Sequence, residues 1–169
     1  EMAFQNPNRV VFAEANHANM LSAAVTAYQE GICFPILLGN TDYIHSVAEQ
    51  NGLNLDGLEI VNLRSGEETE RREKYAKILA QKRQREGITL DEAREKMFDR
   101  NYFGMMMVEV GDADAFITGT YTKYTETIQI AKDVIGIREG HKHFGAMHIM
   151  NTKKGTYFLA DTLINRHPD

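Results

Sequence analysis

The apolar positions of this chain form two alternating patterns. Short, mostly apolar runs predict buried strands, and they cover residues 9–13, 35–38, 58–63 and 115–118. Between these runs, apolar residues recur every three or four positions, which predicts helices that pack one face against a sheet. Buried strands joined by helices indicate an α/β fold, in which a mostly parallel sheet has helices on both faces.

Local capping signals predict where several helices begin and end. Ser65–Glu68 and Thr89–Glu92 both have the Ser/Thr-x-x-Glu spacing of a capping box. We expect Thr41 to cap the second helix and Tyr43 to lie on its inward face. A long charged helix is predicted to follow the first box, and Gly87 is expected to end it.

The last part of the chain changes character. Strands are predicted near His143–Met150 and Thr156–Ala160, and the short link between them indicates a hairpin. We therefore divide the chain into an α/β subdomain at residues 1–140 and the beginning of a second subdomain at residues 141–169. Asn165–Asp169 has no closing element, so we expect the chain to stop partway through a larger fold.

Composition narrows the classes of partner and location. The chain has 169 residues, of which 43% are hydrophobic, and its formal net charge is -5. A nucleic-acid-binding surface usually carries a basic excess, so we expect no nucleic-acid partner. No apolar run is long enough to cross a bilayer, so we expect no membrane partner. Cys33 is the single cysteine, which excludes an internal disulfide and fits a cytoplasmic location.

The turn after the fourth predicted strand has the features of an anion site. Gly119 and a run of hydroxyl side chains within Thr118–Thr122 lead into a helix whose apolar face includes Tyr124 and Ile135. The first turn of a helix offers free N–H groups and a partial positive charge, and Lys123 adds an ammonium group. Turns also carry glycine and threonine for conformational reasons alone, so a turn without a ligand remains the alternative.

Other chemistries have weaker signals. The turn after the first strand reads Glu14–His17 and contains no G-x-G-x-x-G, and the chain has neither a P-loop nor a G-x-S-x-G elbow. His141 and His143 would share one face of a strand as a metal pair, but solvated or packed histidines are the favoured interpretation, so we predict no metal site. Arg83 lies at a helix end, where it either grips a phosphate or complements the helix dipole.

Five segments carry a pattern that occurs together in one protein family. They are Arg9–Glu14, Pro35–Gly39, Arg83–Thr89 with Ala93, Phe103–Val108 and Gly111–Ala115. In this order they resemble the phosphate acetyltransferase (phosphotransacetylase) superfamily. The resemblance extends over essentially the whole chain and corresponds to the first half of that family's domain.

Three further segments point to one branch of the superfamily. They are Gly119–Tyr124, Ile130–Gly136 and the closing Gly155–Thr162 with Pro168 and Asp169. They resemble the phosphotransacetylase-like C-terminal domain of large bacterial NADP-dependent malic enzymes. The resemblance implies a two-part α/β fold, phosphotransacetylase or isocitrate-dehydrogenase-like, in which acetyl phosphate and coenzyme A bind in a cleft.

The resemblance also implies a set of ligand-binding residues for acetyl-CoA or a related phosphate. Arg83 falls on a family arginine that contacts the substrate, and the anion turn falls on the family's Ser-Gly-rich turn. The implied set is Arg83, Thr118, Gly119, Thr120, Tyr121, Thr122 and Lys123. One position departs from the pattern, because Gln129 stands where active members place an arginine. An uncharged amide cannot supply the charge of a guanidinium to a phosphoryl group.

We therefore expect no catalytic residue and no acetyl transfer in this domain. The resemblance implies instead a regulatory module that senses acetyl-CoA and forms a homo-oligomer within a malic enzyme, which oxidatively decarboxylates malate to pyruvate. We expect no cofactor in this domain. NADP and a divalent metal, Mg or Mn, are expected in a malic enzyme domain of the same chain. Two alternatives remain open, namely a fragment of an active phosphate acetyltransferase and an α/β scaffold without a ligand.

Overall fold

A computed structural model describes residues 5–161 and residue 164 of the chain. The predictions made for Thr162 and for residues 165–169 lie outside the described residues. The chain divides into two compact units, one that ends at Ile135 and one that begins at Gly136. The boundary predicted from the sequence lies five residues later, at position 140.

The first unit contains a four-stranded parallel sheet in the order β3-β2-β1-β4. Its strands are β1 (Asn8–Phe12), β2 (Cys33–Leu38), β3 (Glu59–Val61) and β4 (Ala115–Ile117). The chain moves outward from β1 to β3 on one side and returns to the other side of β1 with β4. The predicted α/β class with a parallel sheet is therefore confirmed.

Alternate strand residues point to opposite faces of the sheet, and each face has its own core. Val11 and Leu38 belong to one buried cluster, whereas Phe12 and Leu37 belong to the other. Within the described residues, six α-helices cover these two faces: α1 (Ala18–Gln29), α2 (Thr41–Gln50), α3 (Thr69–Arg83), α4 (Leu90–Lys96), α5 (Arg100–Glu109) and α6 (Tyr124–Val134). The first two helices pack in the Phe12 cluster and the other four in the Val11 cluster.

One of the two predicted capping boxes forms. The Thr89 hydroxyl accepts from the Glu92 N–H, while the Glu92 carboxylate accepts from the Thr89 N–H. At the other, α3 begins at Thr69 and its N-cap Glu68 makes no side-chain capping bond. The guanidinium of Arg72 instead donates to the carbonyls of residues 63 and 65, which holds that segment as a separate turn.

Three other local predictions were wrong or incomplete. Asn40, not Thr41, caps α2, because its side-chain oxygen accepts from the N–H of Tyr43. Tyr43 is 55% exposed and does not face the core. The strand β4 is only partly buried, since it is an edge strand of three residues. Gly87 does end the α3 segment, with a φ of 90° that suits glycine.

The face of α6 that packs inward also differs from the apolar face in the sequence. Ile130 and Val134 are buried, whereas Tyr124 and Ile135 are 46% and 43% exposed. The helix therefore presents apolar side chains both to the core and to solvent. Sequence periodicity alone does not distinguish between these two faces.

The second unit contains the predicted hairpin, formed by antiparallel strands β5 (Met147–Thr152) and β6 (Gly155–Ala160). Every residue of both strands is exposed. The most exposed of its large apolar side chains are those of Met147, Ile149 and Phe158. Both faces of the hairpin carry apolar side chains, a pattern that is typical of strands with helices or other strands on each side.

Gly104 determines how closely α5 packs on the sheet. A Cβ at this position would overlap the ring of Phe116 on β4 and lie 3.0 Å from Cδ1 of Leu38 on β2. We expect Gly104→Ala to lower the free energy of unfolding by about 1–3 kcal/mol because the helix must move away from the strands. Urea unfolding followed by circular dichroism measures this change.

Gly66→Ala is the matched control, because an added Cβ at Gly66 meets no atom within 4 Å. Its effect should stay within about 0.5 kcal/mol. Equal destabilisation by the two variants would show that the close approach of α5 to the sheet is not what Gly104 provides.

Candidate functional site

The predicted anion turn between β4 and α6 binds an anion of the chain itself. The carboxylate of Glu14 accepts from the N–H groups of Thr120 and Tyr121, both at 3.0 Å, and from the Thr122 hydroxyl at 2.9 Å. Part of the donor set that was predicted to bind a phosphate is therefore arranged around a negative charge, whereas Lys123 and the first-turn N–H groups of α6 do not contact Glu14. That charge comes from a residue more than a hundred positions earlier in the chain.

Strand pairing brings Glu14 to this position. β1 and β4 are parallel neighbours, and the N–H of Ala13 donates to the carbonyl of Ile117 at 3.1 Å just beyond the ladder. The next residue, Glu14, consequently emerges at the same end of the sheet as the turn after β4. Its side chain is 1% exposed, and a buried carboxylate needs hydrogen-bond partners of this kind.

The surroundings of Glu14 stabilise its charged form. Burial by itself raises the pKa of the carboxyl group, but the three hydrogen bonds from the turn and the positive charge of Arg100 outweigh it, and the net pKa is lowered. Glu14 is thus ionised at neutral pH and serves as the counter-charge of the turn.

The other residues of the turn have separate contacts. The Thr118 hydroxyl donates to Oδ1 of the buried Asn101 at 2.9 Å, and the Tyr121 ring stacks on His17 with centroids 3.6 Å apart. Lys123 is the N-cap residue of α6, and its ammonium group lies 3.6 Å from the Glu126 carboxylate. Lys123 is 81% exposed and remains accessible to a ligand.

Arg83 lies at the opposite end of α6 from this turn. Its guanidinium donates to the carbonyls of Lys132 and Asp133, both at 2.6 Å, and to the Glu86 carboxylate at 2.7 Å. The helix between the two places has 11 residues, or about 16 Å at the rise of an α-helix. The structure therefore brings the turn residues together but does not place Arg83 among them.

Gln129 points along its own helix. Its amide Nε2 donates to Oδ1 of Asp133 at 2.8 Å, and Oδ2 of Asp133 accepts from the Tyr102 hydroxyl at 2.6 Å. The Tyr102 hydroxyl also accepts from the ammonium group of Lys96 at 3.0 Å. Gln129 is thus part of a network that links α4, α5 and α6.

The histidines of the second unit do not form the strand pair considered in the sequence analysis. β5 begins at Met147, so His141 and His143 precede the strand instead of sharing one of its faces. Both line a small cavity of the same unit. Within residues 5–161 and 164, no group of three His, Cys, Asp or Glu side chains is arranged to hold a metal ion.

A cavity at the carboxyl end of the sheet has no counterpart in the sequence analysis. Its volume is about 540 Å³. It is lined by the segments that follow β1, β2 and β3 and by the start of α5, through Asn16, Gly39, Asn40, Tyr43, Asn62, Leu63, Arg64, Phe98, Asp99 and Arg100. No single sequence motif contains these residues, because four separate segments contribute them.

The geometry of this sheet and turn can be compared with known proteins. The model of the family "Phosphate acetyl/butaryl transferase" matches residues 1–169. The chain belongs to the phosphate acetyl/butaryl transferase family. It is 34% identical over 167 residues to the NADP-dependent malic enzyme of Escherichia coli, a match that covers 96% of this chain and 22% of that enzyme.

Other members of the family are similar over the same residues. The phosphate acetyltransferase of Thermoanaerobacterium thermosaccharolyticum is 32% identical over 176 residues, covering 100% of this chain and 52% of that protein. The crystal structure of a phosphotransacetylase from Streptococcus pyogenes superposes with a TM-score of 0.83 at 25% identity, over 98% of this chain and 50% of that one. The chain thus spans between a fifth and a half of these relatives.

Among the described residues, no helix combines the length and the apolar character that crossing a bilayer requires.

The Glu14 carboxylate is expected to stabilise the turn through its charge. We expect Glu14→Gln to lower the free energy of unfolding at neutral pH by about 2 kcal/mol, because charge-assisted hydrogen bonds are replaced by neutral ones and an amide N–H₂ faces donors. Glu67→Gln, on the exposed surface, is the matched control and should have little effect.

The same interaction gives stability a defined pH dependence. Since the folded pKa of Glu14 is lowered from the ordinary value of 4.5, its contribution is complete above that value and is lost as the pH falls through the lower folded pKa. Unfolding measured between neutral and acidic pH should therefore show a steeper acid loss in the parent than in Glu14→Gln. Parallel curves would contradict this assignment.

Proposed function

We propose that this chain is the phosphotransacetylase-like domain of an NADP-dependent malic enzyme, and that it regulates the enzyme without transferring acetyl groups. The match to malic enzymes over nearly the whole chain supports the first part. The second part rests on Gln129, whose neutral amide cannot supply the charge that the family arginine supplies. We assign three properties to a separate malic enzyme domain of the same polypeptide: the oxidation of malate, the NADP site and a site for Mg or Mn.

One contact of Gln129 adds support to the proposal that this domain does not transfer acetyl groups. Asp133 lies one helical turn further on and already accepts the Gln129 amide. An arginine at 129 would form an i,i+4 ion pair with this carboxylate on the same helix. Its guanidinium would then be directed along α6, away from the turn that Glu14 occupies. The loss of acetyl transfer is thus proposed to involve two positions, 129 and 133.

Acetyl-CoA is the ligand we propose for the regulatory role. Because Glu14 holds the donors of Thr120, Tyr121 and Thr122, the exposed ammonium of Lys123 and the first-turn N–H groups of α6 are the groups we assign to a ligand phosphate. Regulation requires that acetyl-CoA bind two states of the malic enzyme unequally. We place the protein in the cytoplasm as a homo-oligomer, in which the exposed apolar residues of the hairpin contribute contacts.

A second function is supported by a different observation. The chain also matches the phosphate acetyltransferases of Thermoanaerobacterium thermosaccharolyticum and Acetivibrio thermocellus over its whole length, and these two proteins are only about twice as long. In this alternative the chain is half of an active enzyme that transfers acetyl groups between acetyl phosphate and CoA. An activity assay distinguishes the two proposals.

We expect the full-length protein to form no acetyl-CoA from acetyl phosphate and CoA above the uncatalysed background. Gln129→Arg alone should not restore the reaction, because Asp133 captures the new guanidinium. The measurement follows acetyl-CoA formation spectroscopically, with a phosphate acetyltransferase as the positive control. Robust turnover by the parent protein would refute the regulatory proposal and support the transferase.

We further expect acetyl-CoA to bind the full-length protein and to change its rate of malate oxidation. Calorimetry measures the binding, and Lys123→Gln should weaken it because one phosphate contact is lost. Arg85→Gln, an exposed cation elsewhere in the first unit, should bind acetyl-CoA like the parent. Absence of heat at millimolar acetyl-CoA would favour a scaffold that has lost its ligand.

A further inference from the structure

The cavity at the carboxyl end of the sheet occupies a favourable position for a ligand. Ligands of open parallel sheets bind beyond the carboxyl ends of the strands, where loops from several strands converge. The cavity volume of about 540 Å³ lies within the range of small-molecule sites, which is roughly 300–1,000 Å³. It is formed entirely by residues 16–100 of the first unit, and it shares no lining residue with the turn at 118–122.

The three asparagines of the cavity all present donors. Oδ1 of Asn16 accepts from Arg100 at 2.6 Å, Oδ1 of Asn40 accepts from the Tyr43 N–H at 2.9 Å, and Oδ1 of Asn62 accepts from the Arg64 N–H at 3.2 Å. With their oxygens engaged, the amide N–H₂ groups are the free ends of these side chains. A cavity lined by free amide N–H donors suits a ligand that is rich in acceptor oxygens.

Two guanidinium groups add positive charge to these donors. Arg100 uses one nitrogen, Nη1, for Asn16 and the Ala13 carbonyl. Arg64 is exposed, and no carboxylate of the described residues lies within ion-pair distance of it. Guanidinium groups bind phosphate oxygens through paired N–H groups. The acceptor-rich group that fits this lining best is therefore a phosphate.

Exposed aromatic rings and one carboxylate complete the lining. Tyr43 and Phe98 are 55% and 41% exposed, and both line the cavity. The Phe98 ring already lies beside two guanidinium groups, with Cζ of Arg64 5.9 Å and Cζ of Arg72 4.8 Å from its centroid, so Tyr43 is the ring that is open to a planar group. Asp99 uses Oδ1 to cap α5, and its second oxygen is available to accept from a sugar hydroxyl. These groups suit a planar base and a ribose.

We propose that this cavity is a binding site for a nucleoside phosphate. The phosphate is bound by Arg64, Arg100 and the amide groups, the base stacks on Tyr43, and a ribose hydroxyl donates to Asp99. The ligand chemistry is shared by free nucleotides and by the nucleotide portion of CoA. The site is independent of the proposed acetyl-CoA contact at Lys123 and does not rest on the absence of acetyl transfer.

The test is calorimetric titration of the intact protein with ADP, with inorganic phosphate as a second probe. We expect ADP to bind more tightly than phosphate, because only ADP contacts the Tyr43 ring and Asp99. Arg64→Gln should weaken ADP binding about tenfold through the loss of a charge-assisted contact. Arg64 is exposed, so the variant should fold normally, and its circular dichroism spectrum checks this.

Two further titrations distinguish the outcomes. Arg85→Gln removes an exposed arginine outside the cavity and should bind ADP like the parent. Displacement of ADP by CoA would assign the site to the nucleotide portion of CoA, whereas continued ADP binding in excess CoA would assign it to free nucleotides. No ADP binding at millimolar concentration, or equal weakening by Arg64→Gln and Arg85→Gln, would overturn the proposal.

Discussion

The ionised side chain of Glu14, two residues beyond the end of β1, joins that strand to the turn that follows β4. β4 contains only three residues and pairs with one neighbour, so strand hydrogen bonds alone give it little support. The carboxylate binds two N–H groups and one hydroxyl of the turn after β4. Such charge-assisted bonds are roughly twice as strong as neutral ones. The start of α6 is therefore fixed relative to β1 by one buried side chain.

This interaction changes how the turn is understood as a ligand site. A glycine and hydroxyl-rich turn before a helix was expected to attract an anion, and an anion is bound there. The anion is internal, however, which leaves Lys123 and the first turn of α6 as the groups open to a ligand. Gln129 and Arg83 are both held by contacts near the end of α6. Because neither side chain is directed to the turn, these contacts agree with the proposal that the domain keeps the family fold but has a regulatory role.

Local signals predicted local structure only where every interacting group lies within a few residues. The Thr89–Glu92 box formed because all of its hydrogen bonds lie within four residues. The box at Ser65 failed because Arg72, seven residues away, binds the carbonyl of Ser65 and holds a turn there. Tyr43 was placed inward by periodicity, yet it lines a cavity that only the assembled sheet creates.

Groups that are far apart in the chain were beyond the reach of sequence patterns. The sequence pattern placed Glu14 in a turn without a glycine motif and in a segment that resembles the family, but neither observation connects it to its partners at positions 120–122. The cavity combines Asn16, Asn40, Asn62 and Arg100, which no spacing rule connects. A signal did exist for both, since polar residues directly after buried strands gather at one edge of a parallel sheet.

Amide hydrogen exchange at Thr120 and Tyr121 tests the central interaction most directly. Both N–H groups belong to a turn outside any strand or helix, and Glu14 provides their only acceptor among the described residues. We predict that NMR will show these two amides exchanging as slowly as the amides of β1. Exchange at the rate of an unprotected turn would contradict the assignment of Glu14 as the anion that holds this site together.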